Sequence, residues 1–522
     1  MGKITYLPFA QVGKFPKLFL DYVNGKEFLT SFISAWALPE NFAAQVELKK
    51  VTFTQQKRQI LHQVLVRQYQ QSGCTPPETV LQLLQPHSFT LTTGHQLNIF
   101  TGPLYFHYKI ITTINAAKKL SQLYPQYRFI PVYWMASEDH DVDEINHFRL
   151  FGKKYTWQTD QKGAVGRFNP QSLAAVAQQA PEMHHALVQA YTHSNTLAEA
   201  TRKIVDHFYR DEGIVILDGD DVELKRLFLP FVRKEITQQL SWKAVKSTTE
   251  RLTALGYHCQ VTPRQVNLFY LDHQFRQRID IYHPEKKQYK VLNTNLFFTE
   301  EELLQWAEEY PEKISPNVVL RPLYQEVVLP NVCYIGGPAE IGYWLQFKEM
   351  FAAFETPMPL LLPRNSALLL EVRHQRKMQK LNLSVSDLFA PALKVRQKIV
   401  FQQENQYVTI GQEMESIIQQ WDRVIAKVAE IDPTLRQAAI AQKVFMQKKL
   451  LHFAGKIRKA QERRHETTLR QWANLQEELF PAGGLQERSE NFLTFLLNYP
   501  HLLQELKAVF DPFDFRFVVV EL

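Results

Sequence analysis

Cysteine is nearly absent from this chain: Cys74, Cys259 and Cys333 are the only three. None sits in a C-x-x-C pair, so neither a disulfide framework nor a cysteine-rich zinc site is supported, and a reducing cytosol fits best. Cys333 lies in an apolar run and is expected to be a small buried hydrophobe. No apolar run reaches bilayer-spanning length. The N-terminus lacks a basic-then-apolar leader pattern. Together these predict a cytoplasmic protein with no membrane partner. Internal repeats and low-complexity tracts are missing too. Charge of one sign is not in large excess: the formal net charge is +7 over 522 residues, with a pI near 9.0. That permits an anionic ligand without demanding nucleic acid, and no nucleic-acid partner is expected.

What is present is 45% apolar residues, enough for a large core. The length suits two to four domains, or one large domain with insertions. Apolar runs alternate with helical patterns through the first two-thirds. Ser88–Thr93, Phe129–Ala136, Gly213–Leu217, Val332–Ile335 and Leu360–Leu362 read as strands, with Val318–Leu320 a further one. A helix is expected over Leu104–Leu120, with Ile110, Ile111, Ile114 and Ala117 on one face. Strands separated by helices imply an α/β fold with a mainly parallel sheet, and continuous apolar runs suit strands covered on both faces. Two insertions interrupt this core, one helical and polar (about 155–210) and one α+β (about 245–315). The second holds Asn267–Asp272, Arg278–Tyr282 and Gln288–Leu292, a turn at Pro284–Lys287, and a capping box opening at Thr299.

The core is expected to end near residue 395. From 396 to 480 the chain reads as an antiparallel α-helical coiled coil. Met414, Ile418, Trp421, Ile425 and Val428 recur at spacings of four and three, the seam of a helical hairpin. Asp432-Pro433 marks the turn between its helices. The span 441–470 carries nine Lys/Arg against two Glu, read as a solvated face or an anion-attracting one. Pro481 stops the second helix, and residues 481–522 are expected to return to the core, with Phe513–Val520 as a strand.

Three constellations can carry chemistry. The first is the loop Gly94-His95-Gln96 to Thr101-Gly102-Pro103, between a strand and a helix. Its glycines allow close backbone approach to a ligand, but it is neither a Walker loop nor a dinucleotide fingerprint. Lys109 follows in the helix, facing either the loop or solvent. The second is Ser137–His147, where an apolar strand ends in Glu138, Asp139, His140, Asp141, Asp143, Glu144, Asn146 and His147. Open α/β sheets bind ligands outside the carboxyl ends of their strands. So much like charge requires a compensating cation, metal or polar substrate. General acid–base work or amine recognition fits Glu138, Asp139, His140 and Asp141. A metal site is the alternative, although the spacing matches no strong metal motif. The third is Ser315–Gln325, followed by Tyr334–Trp344. Arg321 is expected to end a strand and to fork onto carboxylate or phosphate. Gly336-Gly337-Pro338 opens a helix with an anion-friendly end, and Glu340 is either its dipole complement or a substrate ligand. Arg364 and Ser366 follow the last strand. Carboxylates after one strand and arginines after two suit a zwitterionic or mixed-charge substrate.

These segments (TGHQLNIFTGPLY, PVYWMASEDHDVDEINH, SPNVVLRPLYQ, YIGGPAEIGYW and PMPLLLPRNSA) resemble the bacillithiol biosynthesis cysteine-adding enzyme family, the cysteine ligases. The resemblance runs over nearly the whole chain, including LFPAGGLQER. It implies a Rossmann-like core with two connecting-peptide insertions, similar to class I aminoacyl-tRNA synthetase catalytic domains, and a coiled coil contributing to a homodimer. It implies amide formation between cysteine and a glucosaminyl-malate acceptor, with ATP the implied source of activation. HIGH and KMSKS signatures are missing; Arg373–Lys377 has the charge of the second without its order. The resemblance also implies glutamine at position 95 in many members, so no catalytic role is assigned to His95. On this reading Gly94, Gln96, Thr101, Gly102, Gly336 and Gly337 bind nucleotide or substrate phosphate. Glu138, Asp139, His140 and Asp141 hold or deprotonate amino groups. Arg321 and Arg364 bind carboxylates, with Asn146, Gln325, Glu340 and Ser366 completing the binding set. A metal-dependent hydrolase or transferase built on Glu138–His147 is the competing function.

Overall fold

A computed structural model describes residues 2–180, 184–404 and 409–522. Five strands form the central sheet: β1 (Ser88–His95), β2 (Arg128–Met135), β3 (Val215–Asp218), β4 (Asn331–Gly336) and β5 (Leu360–Pro363). All pair in parallel, in the order β5-β4-β1-β2-β3. Every residue of β1, β4 and β5 is buried, as expected of strands covered on both faces. Helix α1 (Tyr105–Leu123) buries Ile110, Ile111, Ile114 and Ala117 as the periodicity requires. With Phe42 and Val46 of helix Phe42–Thr52, it contributes to a core that includes Phe89, Leu91, Phe129, Cys333, Ile335 and Leu362. Cys333 is fully buried there.

The chain lays down β1, β2 and β3 in one direction, then returns to place β4 on the other side of β1. The sheet therefore reverses its winding between β1 and β4. Doubly wound sheets open a crevice at such a point, beyond the strand carboxyl ends.

The expected strand at Val318–Leu320 is not one. Ile314–Pro316 is the strand, and it pairs antiparallel with Leu268–Leu271. Asn317 Oδ1 then accepts from Val319 N at 2.9 Å and Leu320 N at 3.3 Å. That side-chain turn breaks the extended run, and helix α2 (Arg321–Val328) starts at once with Pro322 in its first turn. Arg321 therefore opens a helix rather than closing a strand. The antiparallel sheet is completed by Arg276–His283, Gln288–Val291 and Phe297–Thr299. Its turn is at Pro284–Lys287, and Thr299 and Glu302 form the capping box of the next helix. Helix α3 (Pro338–Trp344) follows β4. A small hairpin, His147–Leu150 with Lys153–Thr156, precedes the helical stretch and went unread in the sequence.

The chain divides into two compact units. The first is Tyr6–Leu368 with Leu485–Val518 and holds the parallel sheet. The second contains Leu369–Gly484. Within the second, α4 (Gly411–Ile431) and α5 (Arg436–Arg464) form an antiparallel hairpin turning at Asp432, whose carboxylate accepts from Thr434 N. Met414, Ile418, Trp421, Ile425 and Val428 are half-buried while most of α4 is exposed, so the seam is where the spacing puts it. The expected single long second helix breaks at His465, and Glu466–Leu479 continues with Leu469, Trp472, Leu475 and Leu479 buried. Arg373–Lys377 lies in the helix Val372–Lys380, where Lys377 pairs with Glu478. A terminal strand spans Arg516–Glu521. Among the described residues no helix is long and apolar enough to cross a membrane.

Candidate active site

A cavity of about 780 Å³ opens at the carboxyl edge of the sheet, where the winding reverses. Its walls come from the end of β1 and the residue beyond it (Gly94, His95, Gln96) and from the residues after β2 (Ser137, Glu138, Asp139), after β4 (Gly337, Glu340) and after β5 (Arg364). Arg321 of α2 and Arg276 and Arg278 of the antiparallel sheet close it. Asp139 and Arg321 thus share one cavity.

The acidic wall follows from the abrupt end of β2. Asp139 accepts from Gln96 Nε2 at 2.7 Å and from His140 N at 2.8 Å. Burial pushes its carboxyl up, but His140, Gln96 and the Arg276 guanidinium outweigh that and hold it well below the usual carboxylate range. Gln96 also bonds Glu144, the third lining carboxylate. Glu138 shares a cation with Asp220: Lys225 Nζ lies 2.8 Å from Glu138 Oε1 and 2.8 Å from Asp220 Oδ1, and donates to Glu312 O at 3.0 Å. Arg167 forks onto Asp220 at 2.7 and 3.0 Å. Below them, burial and the Asp220 charge raise the Asp218 carboxyl above its ordinary range.

The basic wall is built on Lys109 and two arginines. Lys109 does not face solvent. Its Nζ donates to Gly94 O at 2.7 Å and lies 2.5 Å from Glu340 Oε2. Glu340 also accepts from Tyr334 OH at 2.6 Å and Gly337 N at 2.8 Å. Burial opposes its charge, yet Lys109, Tyr334 and Gly337 N hold it below the ordinary range. Glu340 therefore caps the α3 end as its dipole complement, the first of the two roles its position offered. Arg321 Nη1 donates to Gln325 Oε1 at 3.1 Å, with its guanidinium over the Tyr334 ring. Gln325 in turn bonds the buried Glu326, which pairs with Lys49 at 2.9 Å. Arg364 gives Nη1 to Ser366 Oγ at 2.9 Å and Nη2 to Glu487 Oε1 at 2.7 Å.

Of the residues singled out from sequence, Gly94, Gln96, Glu138, Asp139, Arg321, Gly337, Glu340 and Arg364 line this cavity. Gln325 and Ser366 stand behind the two arginines they bond. Gly336 is buried within β4. Thr101 and Gly102 do not reach the cavity wall. Phe100 and Gly102 give their carbonyls to Asn491 Nδ2 at 2.7 Å each, and a Cβ on Gly102 would meet Asn98 Cβ at 2.5 Å. That half of the loop is packed structure. His140 is not among the lining residues; its Nδ1 faces Arg276 Nη1 at 3.4 Å and its ring lies against Phe269. Asp141 is exposed at the start of a short helix, and Asn146 is held by Asp143. Arg276, Arg278, Lys225 and Glu487 were missed. They reach the site from distant segments and have no local signal, although a lysine on the apolar face of α1 did mark Lys109.

Gly94 and Gly337 border the two arginines, and a Cβ at either would make only ordinary van der Waals contact. A Cβ on Gly94 would lie 3.7 Å from Arg321 Nη1, and one on Gly337 3.4 Å from Arg364 Nε. The Arg364 Nε donor is buried without a hydrogen bond. These features fit an anionic group, phosphate or carboxylate. Among the described residues no group of three His, Cys, Asp or Glu side chains is placed to hold a metal ion, so the metal-dependent hydrolase or transferase reading has no ligand set to rest on.

Comparison with known proteins accords with this. Residues 3–365 match the bacillithiol biosynthesis BshC N-terminal Rossmann-like domain, and residues 367–522 match the BshC C-terminal coiled-coil domain. A protein of Flavobacterium johnsoniae named "Putative cysteine ligase BshC" is 39% identical, covering 97% of this chain and 98% of its own length. Proteins of the same name from Flavobacterium psychrophilum (40% identical, 93% of each chain) and Cytophaga hutchinsonii (36% identical, 96% of each chain) are also similar. The chain belongs to the BshC family of bacillithiol biosynthesis.

Proposed function

We propose that this BshC family member is a ligase that joins the carboxyl group of L-cysteine to the amine of glucosaminyl-malate, forming the amide of bacillithiol. The observation that carries the reading is one cavity lined by both carboxylates and arginines. Both reactants carry an amino group and at least one carboxylate, so a two-signed cavity suits them better than a uniformly charged one. The relatives named cysteine ligase support the reaction class.

A free carboxylate is a poor electrophile, so the cysteine carboxyl needs activation. ATP would supply the leaving group. Arg364 and Arg321, beside Gly337 and Gly94, are the groups that would hold its phosphates or a substrate carboxylate. In the bond-forming step one C–N bond forms, one C–O bond of the activated carboxyl breaks, and the amine gives up a proton. Asp139, Glu138 and Glu144 bind and orient the amino groups. The proton passes to a lining carboxylate, Glu144 or Asp139, while His140, with Nδ1 3.7 Å from Asp139 Oδ1, stands behind Asp139 and orients it. The arginines offset charge developing on the carboxyl oxygens.

A homodimer through the helical hairpin belongs to the same reading. Ile417, Val424 and Ile431 are exposed at seven-residue spacing on α4, and Phe445, Leu451 and Phe453 are exposed on α5. An apolar stripe of heptad spacing suits a second copy of the hairpin. The reaction itself is tested by mass spectrometry of the protein incubated with cysteine, glucosaminyl-malate and ATP, each omitted in turn. Product in the complete mixture alone is expected. Product without ATP would remove nucleotide activation, and no product would remove the assigned reaction.

A further inference from the structure

We infer that His95 and Arg364 form a two-point recognition element in this cavity: Arg364 Nε donates to a carboxylate or phosphate oxygen of the ligand, and His95 Nε2 accepts from a ligand hydroxyl or N–H. The ligand class is a hydroxylated organic anion.

Both side chains line the cavity, and they are only 6% and 3% exposed. Their protonation follows from their partners. His95 Nδ1 lies 2.8 Å from Gln96 O. A carbonyl oxygen only accepts, so Nδ1 carries the hydrogen and Nε2 of the neutral ring is left as an acceptor. The ring stays neutral because burial and the nearby Lys109 charge push it down to about 3. Nε2 makes no hydrogen bond within the chain. Arg364 spends Nη1 on Asn365 O and Ser366 Oγ and Nη2 on Glu487, while Nε makes none. The two groups flank one ring. Tyr105 has its centroid 5.1 Å from that of His95 and 5.3 Å from Arg364 Cζ.

A buried donor and a buried acceptor left unmatched are costly. These two could satisfy each other, yet Gln96 fixes one and Glu487 with Ser366 fixes the other, and they do not meet. Fixed, dry and complementary groups in one cavity are the arrangement that reads a specific hydroxyl or N–H beside an anion. His95 then acts as a specificity-determining acceptor and not as a base. This inference rests on the cavity being the substrate site, and it names the part of the acceptor that is read there: a sugar hydroxyl or N–H beside a carboxylate.

The test is histidine 15N NMR on the full-length protein, with titration of glucosaminyl-malate and, separately, L-malate. The free protein is expected to show His95 as the neutral Nδ1–H tautomer, with an Nε2 resonance that moves on saturation. His95→Phe should weaken binding about tenfold or more, and His95→Gln, whose amide oxygen still accepts, by less than about threefold. An Nε2–H tautomer, an Nε2 resonance unmoved by a bound ligand, or undiminished affinity in His95→Phe would overturn the inference. Should L-malate move the resonance while glucosaminyl-malate does not bind, the recognition pair stands and the assigned acceptor falls. Should neither ligand move it, the pair falls.

Discussion

Lys109 Nζ lies 2.5 Å from Glu340 Oε2, joining the helix after β1 to the helix after β4 across the point where the sheet reverses its winding. The pair decides how the crevice can be used. Glu340 is spent on Lys109, Tyr334 and the Gly337 amide. The lining charges outside that pair include Glu138, Asp139 and Glu144 among the carboxylates and Arg276, Arg278, Arg321 and Arg364 among the cations.

Removing the cation alone should be severe. Lys109→Met leaves the partly buried Glu340 without its cation, held only by Tyr334 OH and Gly337 N, and breaking such a pair on one side costs up to about 3–5 kcal/mol. The double variant Lys109→Met/Glu340→Gln should be less unstable than the two single losses added together. Urea unfolding at pH 7 of all four proteins measures this, and strictly additive losses would show that the pair is not coupled.

Asp139 sets an acid limb. Its folded pKa is depressed, so the unfolded chain binds the proton more readily. Its stabilising contribution is present above the unfolded value of about 3.9 and is lost as pH falls through the lower folded value. The melting temperature of the unsubstituted protein should therefore exceed that of Asp139→Asn at pH 7, with the gap closing as pH falls below about 4. Thermal melts across that range check it; a gap that widens towards acid would contradict the assignment.

Arg321 is expected to act on ligand affinity more than on folding, because no carboxylate lies within salt-bridge distance of it among the described residues. Arg321→Met should raise KM for the anionic reactant by about ten- to a hundredfold, the range of one charge-assisted hydrogen bond. Gln325→Leu, which frees the guanidinium from its 3.1 Å tether, should give a smaller rise in the same direction. Initial-rate kinetics with each reactant varied separates the two, and an unchanged KM in Arg321→Met would take Arg321 out of binding.

The stripe on α4 should hold two copies together. Ile417→Asp/Val424→Asp places charge on residues that are 39% and 43% exposed, so the hairpin itself should survive. Light scattering is expected to show a dimer for the unsubstituted chain and a monomer for the variant, with unchanged helix content by circular dichroism. A monomer in both cases would end the dimer proposal.

The sheet was legible because burial on both faces favours apolar runs, and β2, β4 and β5 carry them, while β1 alternates Phe89 and Leu91 with serine and threonine. The hairpin seam was legible because one-sided burial imposes a three-and-four spacing. Arg321 was misplaced because Val318–Leu320 has strand composition, whereas Asn317 turns the backbone there by accepting two amide hydrogens. The acidic wall could be read since its residues are consecutive. The basic wall could be read only in part: Arg276 and Glu487 come from segments far apart in sequence, and nothing local reports that Glu487 holds Arg364 at 2.7 Å. Thr101 and Gly102 looked like a ligand loop because glycine beside a helix start serves both packing and binding. Here packing against Asn491 uses it.

The most direct test of the two-signed cavity is a crystal structure with glucosaminyl-malate bound. The amine is expected against Asp139 and the malyl carboxylates towards Arg321 and Arg364, in one continuous density. Density outside this cavity, or an amine lodged on the arginine side, would contradict it.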